Sequence, residues 1–181
     1  MSLSLNNIDK SFGSIKVLNN INIQSHGKEC LGIIGPNGAG KSTLFKVISG
    51  NLKQDKGDIY FNSLNINNLN INKRARLGIS QSFQKNSLFL EMTVKESIML
   101  ALSHKYKITF KMLNSLINNK AINNDAIEIA KDTGLLDYFD TKSDNLSYGL
   151  QRQLELGIAI SCNPKLLLLD EPTAGMSPAE T

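Results

Sequence analysis

Apolar and polar positions alternate along the first stretch of the chain. Leu3, Leu5 and Ile8 are followed by Ile15 with Val17 and then Ile21 with Ile23, with turn signals at Gly13 and at Asn19-Asn20. This period of two predicts antiparallel strands over residues 2–25. The pattern then becomes an unbroken apolar run, Cys30-Leu31-Gly32-Ile33-Ile34, which predicts a short buried strand. Leu44-Phe45-Lys46-Val47-Ile48 suits a helix packed on a sheet, and Ser49-Gly50 supplies its stop, because glycine past a helix end takes the left-handed conformation cheaply. Gly57-Asp58-Ile59-Tyr60-Phe61 predicts a strand entered from a turn. The asparagine-rich residues 62–72 predict a surface cover, and residues 78–83 a further strand ending at Gln84.

From about residue 88 the period is helical. Thr93-Val94-Lys95-Glu96 has the form of a capping box opening a helix that carries Ile98, Met99 and Leu102. Residues 108–117 and 125–132 follow as amphipathic segments, the second closed by Gly134. Met92, Met99 and Met112 lie on this helical insertion, and core packing accounts for them better than a cofactor does. Ser147 is placed to cap a helix running through Leu154 and Ile158 to Asn163-Pro164. Lys165 then precedes Leu166-Leu167-Leu168-Leu169-Asp170-Glu171-Pro172, a continuously apolar strand of the kind found at the centre of parallel sheets, with two carboxylates at its carboxyl edge.

Composition changes this picture little. A chain of 181 residues, 41% hydrophobic and 20% charged, is long enough for one globular domain with a sizeable insertion. The net charge of +4 and isoelectric point near 9.0 permit an anionic partner, but the basic residues are scattered and read as a solvated surface. Cys30 and Cys162 lack metal-ligand spacing and read as two buried thiols in a reduced, cytosolic protein. No signal peptide opens the chain and no apolar run is long enough to cross a bilayer, so a membrane role is expected to come through a partner.

The chemistry gathers at Gly35-Pro36-Asn37-Gly38-Ala39-Gly40-Lys41-Ser42-Thr43, which satisfies G-x-x-x-x-G-K-[ST] between a predicted strand and a predicted helix. Glycines 35, 38 and 40 are expected to take positive φ and bring backbone N–H groups close to a polyanion. The helix starting near Gly40 adds its positive dipole end. Lys41 can place an ammonium between the β- and γ-phosphates, the Ser42 hydroxyl is a hard ligand for Mg²⁺, and Pro36 stiffens the loop. Asp170 can hold the ion opposite Ser42, directly or through water, while Glu171 can orient and partly deprotonate the attacking water. Taken alone, Asp-Glu-Pro is equally a polar strand end; with the upstream loop, the set points to nucleoside triphosphate hydrolysis. Phe12 is an aromatic that could stack on a base, although packing is the plainer reading of that residue by itself.

With these motifs in order, the chain resembles the ATP-binding subunits of ABC transporters over nearly all its length. Residues 35–43 match Walker A, Gln84 the Q-loop residue, residues 146–150 the signature and residues 166–171 Walker B. The resemblance implies a P-loop NTPase α/β core with a mainly parallel sheet, an antiparallel β-subdomain and a helical insertion. It divides the chain into residues 1–84 with 164–181 as core and β-subdomain, and residues 85–163 as helical subdomain. It also implies that Phe12 stacks on adenine and that Ser177-Pro178-Ala179-Glu180 falls at the D-loop. Two ATP molecules would be sandwiched in a head-to-tail homo- or heterodimer, each held by one subunit's Walker A and by Ser147 and the Gly149 backbone of the other. Gln84 would sense metal or water and report to integral membrane permease subunits through residues 85–92 and the insertion. The expected location is cytoplasmic, peripheral on the inner face of the membrane, with no nucleic acid partner. Gly78-Ile79, Ser82-Phe83-Gln84, residues 88–94, residues 146–149 and residues 175–181 look like the branched-chain amino acid importer type.

Two departures stand out. Leu150 occupies the place where the signature usually carries Gln, with Gln151 following, which affects one polar contact to the partner's nucleotide. His26 and His104 both precede Walker B, whereas the family's switch histidine follows it, so the chain is expected to lack that histidine and the last strands of the sheet. The competing expectations are a soluble ABC-type ATPase acting on ribosomes or DNA, and a nucleotide-binding fragment without turnover.

Overall fold

The computed structural model describes residues 2–82, 88–106 and 119–171. Gln84, residues 108–117 with Met112, and residues 177–180 lie outside the described residues. The chain forms two compact units, Met1–Ile79 and Ser80–Thr181.

In the first unit β1 (Ser2–Phe12) pairs antiparallel with both β2 (Ile15–His26) and β3 (Lys56–Phe61), and β4 (Leu64–Asn65) completes a sheet of order β2-β1-β3-β4. Leu3 and Leu5, and Ile59 and Phe61, are buried in the alternation anticipated from their period, and Ile8 returns to the buried face after the register shift that follows Leu5. Gly13 makes the turn between β1 and β2 at φ 58°. Asn19-Asn20, expected to be a second turn, lies inside β2 instead. Asn20 takes φ 52° and donates its N–H to Asp9 Oδ1 at 2.7 Å, near slips in the β1–β2 register. Asparagine tolerates the left-handed region, so it serves a bulge as well as a turn. Gly57 at φ 87° is required where β1 passes β3, since a Cβ there would lie 2.4 Å from the Asn6 and Asn7 carbonyl oxygens.

Helix α1 (Lys41–Ser49) buries Leu44, Val47 and Ile48 and ends at Gly50 in the left-handed conformation, φ 85°. The cover over residues 62–72 is only partly superficial: Ile66 is fully buried, and Ile71 begins α2 (Ile71–Arg76), capped by the Asn70 side chain. The strand expected over residues 30–34 is not formed, and Leu31 is 53% and Ile34 98% exposed. An apolar run becomes a strand only when a neighbour completes its hydrogen-bond ladder, and among the described residues no strand pairs with it. Cys30 and Cys162 are likewise exposed, not buried.

The second unit holds most of β5 (Ile79–Gln81), hydrogen-bonded to β6 (Leu166–Leu168), and three helices. These are α3 (Val94–Lys105), α4 (Lys120–Asp132) and α5 (Tyr148–Ser161). They converge on Ile98, Leu102, Ile122, Ala126 and Leu154, all fully buried or nearly so. The capping box opening α3 is reciprocal: Glu96 N–H donates to Thr93 Oγ1 at 3.1 Å and Thr93 N–H to Glu96 Oε2 at 2.8 Å. Helix α4 begins earlier than its apolar period indicates, because the Asn119 side chain accepts from the amides of Ala121 and Ile122. Among the described residues, no helix is long and apolar enough to cross a membrane.

Candidate functional site

In the first unit the glycine-rich loop leads directly into α1. Gly38 and Gly40 adopt φ 82° and 93°, and Gly40 forms the N-cap without any side-chain cap, as at anion sites on helix N-termini. Gly35, expected to share this conformation, does not have positive φ. A Cβ on it would meet Ala39 Cβ at 3.4 Å, an ordinary contact. Lys41 Nζ donates to the carbonyls of Gly35 at 2.7 Å and Pro36 at 2.9 Å, curling the loop around its own ammonium. Ala39 N–H donates to the Pro36 carbonyl at 3.2 Å and closes the turn. The cradle is thereby held in shape with its positive charge at the centre.

The β1–β2 hairpin lies against this loop, since a Cβ at Gly40 would fall 3.0 Å from both Val17 Cγ1 and the Val17 carbonyl oxygen. Phe12, at the hairpin's tip, is 47% exposed, which overturns the packing reading. Two residues that sequence reasoning passed over stand beside it. Lys10 Nζ lies 5.7 Å from the Phe12 ring centroid and is paired to Asp55 Oδ1 at 2.7 Å. The Lys10 hydrogen bond, then that from the Ser11 amide, holds the Asp55 carboxyl below the usual range. Lys10 and Asp55 are 45 positions apart, and nothing in the local pattern of either signals the pairing.

In the second unit β6 delivers Asp170 and Glu171. Ser82 N–H donates to the Leu168 carbonyl at 2.9 Å and Asp170 N–H to Ser82 Oγ at 3.4 Å, so Asp170 sits beside Ser82, the residue that follows β5 and stands two positions before Gln84 in the chain. Glu171 is exposed and takes φ 48°, a conformation rare for glutamate. Ser147 caps α5, its side chain accepting from the Leu150 amide, with Gly149 buried in the first turn. Leu150 packs on the helical core. Gln151 turns back on its own loop, Nε2 donating to the carbonyls of Ser143 at 3.0 Å and Leu146 at 3.4 Å. The loop before Ser147 is tied to the segment entering α3: Ser143 donates both its amide and its hydroxyl to the Met92 carbonyl, each at 2.9 Å. Beside these elements a cavity of about 360 Å³ is lined by Gln81 of β5, by Phe89, by Ser97 and Leu100 of α3, and by Glu155 and Ile158 of α5.

Lys41 and Ser42 thus belong to the first unit, and Asp170, Glu171 and Ser147 to the second. Among the described residues no three His, Cys, Asp or Glu side chains converge on one point.

The family model for ABC transporters matches residues 18–174. The chain belongs to the ABC transporter family. This ABC subunit is 35% identical over 184 residues to the high-affinity branched-chain amino acid transport ATP-binding protein LivG of Escherichia coli (strain K12), covering 99% of the chain and 72% of the relative. It is 33% identical over 176 residues to the lipopolysaccharide export system ATP-binding protein LptB of Haemophilus influenzae, covering 97% and 69%. Its fold matches the ADP conformation of an ABC transporter ATP-binding cassette with TM-score 0.80 at 36% identity, covering 99% of this chain and 72% of the other. A dimeric post-hydrolysis cassette bound to ADP and phosphate matches with TM-score 0.82 at 26% identity, covering 98% and 77%. The ABC subunit therefore has the P-loop NTPase fold and is an ATP-binding ATPase.

Proposed function

We propose that this ABC subunit hydrolyses ATP to power import of branched-chain amino acids through integral membrane permease subunits at the inner face of the cell membrane. The supporting observation is the likeness to the E. coli branched-chain amino acid transport subunit along 99% of the chain. The export-system relative at 33% identity supports a second reading, in which the cargo is a lipopolysaccharide moving outward.

In this reading Phe12 stacks on adenine, residues 35–43 wrap the phosphates, and Lys41 neutralises charge as it moves toward the leaving oxygen. Ser42, Asp170 and Gln84 would hold Mg²⁺, which supplies further charge neutralisation when bound. Glu171 orients the attacking water and takes its proton. Ser147 and the Gly149 amide, at the N-terminus of α5, meet the γ-phosphate held by a second subunit. Residues 1–84 with 164–181 act as the nucleotide-binding core, and residues 85–163 as the helical part that answers to the permease. The cavity beside Phe89 and Ser97 would receive an apolar side chain of that permease.

Co-expression with a polytopic permease tests this reading. The two should copurify, and reconstituted vesicles should take up leucine with ATP inside the subunit's compartment and stop on Glu171→Gln. Uptake or extrusion of a cargo unrelated to amino acids would remove the importer assignment, and equal ATPase rates for parent and Glu171→Gln would remove hydrolysis.

A further inference from the structure

Before Phe12 the backbone of β1 loses its partner on the β3 side and keeps only an irregular pairing with β2, which ends at Phe12 opposite Ile15. On one side the register with β2 slips between Ile8 and Lys10 and again between Lys10 and Ser11. On the other, pairing with β3 ends at Asp9 opposite Lys56. Irregularities of this kind re-aim the side chains that follow them, and a strand end paired on one side only holds them less firmly. Asp55, immediately before β3, fills the gap. Its N–H donates to the Asp9 carbonyl at 2.9 Å, its Oδ2 accepts the Ser11 N–H at 2.6 Å, and its Oδ1 accepts Lys10 Nζ at 2.7 Å. The Lys10 side chain is only 15% exposed, so this pair is screened less than a fully solvated one. Lys10 in turn stands 5.7 Å from the centroid of the Phe12 ring, within cation–π reach.

We propose that Asp55 is a positioning residue for the nucleobase: through Lys10 and the Ser11 amide it holds the Phe12 ring as a preset platform for the base of ATP. The proposal rests on the reading of Phe12 as the aromatic that stacks on adenine. With Lys10 over one face of the ring, the base stacks on the other. A ring already held in place loses less rotamer freedom on stacking, and that difference appears as affinity. Because Asp55 touches neither the phosphate loop nor the acidic pair in the contacts above, its effect is confined to ligands that carry a base.

Calorimetric titration of the full chain with ATP and with inorganic tripolyphosphate separates the parts. Phe12→Ala should weaken ATP about tenfold, the order expected for one stacked base, and leave tripolyphosphate within about twofold. Asp55→Ala should weaken ATP roughly three- to fivefold with tripolyphosphate unchanged, the size of one ordered side chain released. Asp55→Asn keeps an acceptor for the Ser11 amide but not the charge opposite Lys10, and should fall between Asp55→Ala and the parent. If Phe12→Ala weakens ATP while Asp55→Ala binds it as the parent does, the positioning role is overturned and the platform stands. An unaffected Phe12→Ala removes the platform and the proposal together. Equal weakening of tripolyphosphate by Asp55→Ala also overturns it, because the residue would then act on the phosphate loop or the fold.

Discussion

Gly40 is held at φ 93° with the Val17 carbonyl oxygen 3.0 Å from where its Cβ would be, whereas Gly35 has no positive φ and room for a methyl against Ala39 at 3.4 Å. The two glycines of one motif are therefore not equivalent. Gly40→Ala is expected to destabilise the loop by about 1–3 kcal/mol and to weaken ATP binding more than tenfold, and Gly35→Ala to do neither to that extent; titration calorimetry with thermal melting distinguishes them. The carboxylates around the hairpin carry a second prediction. Asp9 is lowered by the Asn20 amide and then by Lys16, and Asp55 by Lys10 and then the Ser11 amide. A carboxyl whose folded value lies below its unfolded one stabilises the fold fully above the unfolded value and loses that contribution as pH falls through the folded one. Melting temperature should therefore fall from about pH 4 downward, and Asp9→Asn or Asp55→Asn should flatten that acid limb. The left-handed turns at Gly38 and Gly40 were legible in the sequence because that conformation favours glycine, whereas the expectation for Gly35 did not hold. Lys10 and Asp55 were not legible, because an ion pair between distant positions has no local signature.

At the scale of elements, the helix that carries Lys41 is fixed at its far end by Arg74. This side chain is 1% exposed, and its guanidinium donates to the carbonyls of Val47 and Ile48 at 2.8 Å and of Leu69 at 2.9 Å. Burial lowers its pKa, yet an arginine stays charged at any working pH, and the carbonyl end of a helix is where a cation is favoured. Gly50 makes room for it, since a Cβ there would lie 3.0 Å from Arg74 Cδ and Nε. Arg74→Met keeps much of the volume but takes the guanidinium donors from the Ile48 and Leu69 carbonyls and leaves Val47 with the Gly50 amide alone, and should cost roughly 3 kcal/mol in urea unfolding. Strands β1 to β3 and the capping box of α3 were legible from period and spacing, since those are local properties. The unpaired run at residues 30–34 and the Asn19-Asn20 bulge were not, because the same residues serve strand, turn or bulge according to what lies beside them.

For the whole molecule the question is how acidic pair, phosphate loop and capped α5 act together. A related cassette is dimeric with ADP and phosphate bound, and here Ser147 caps α5 with the exposed Tyr148 in its first turn, held by Arg152 Nη2 donating to the phenol oxygen at 2.8 Å. With ATP present, Glu171→Gln should therefore sediment as a concentration-dependent dimer, and adding Ser147→Ala should weaken that association at least severalfold, roughly the worth of one hydrogen bond to a charged group. The amino-acid order alone determined the reaction class, because Lys41, Ser42, Asp170 and Glu171 announce their chemistry by type and spacing, and it determined which segments had the period of strands or helices. Tertiary structure alone decided which of those segments found a neighbour. It also decided that Phe12 faces solvent, not the core, and that Gln151 turns back on its own loop. Hydrogen-bond ladders, burial and ion pairing all require two partners, and the identity of the second is a property of the fold.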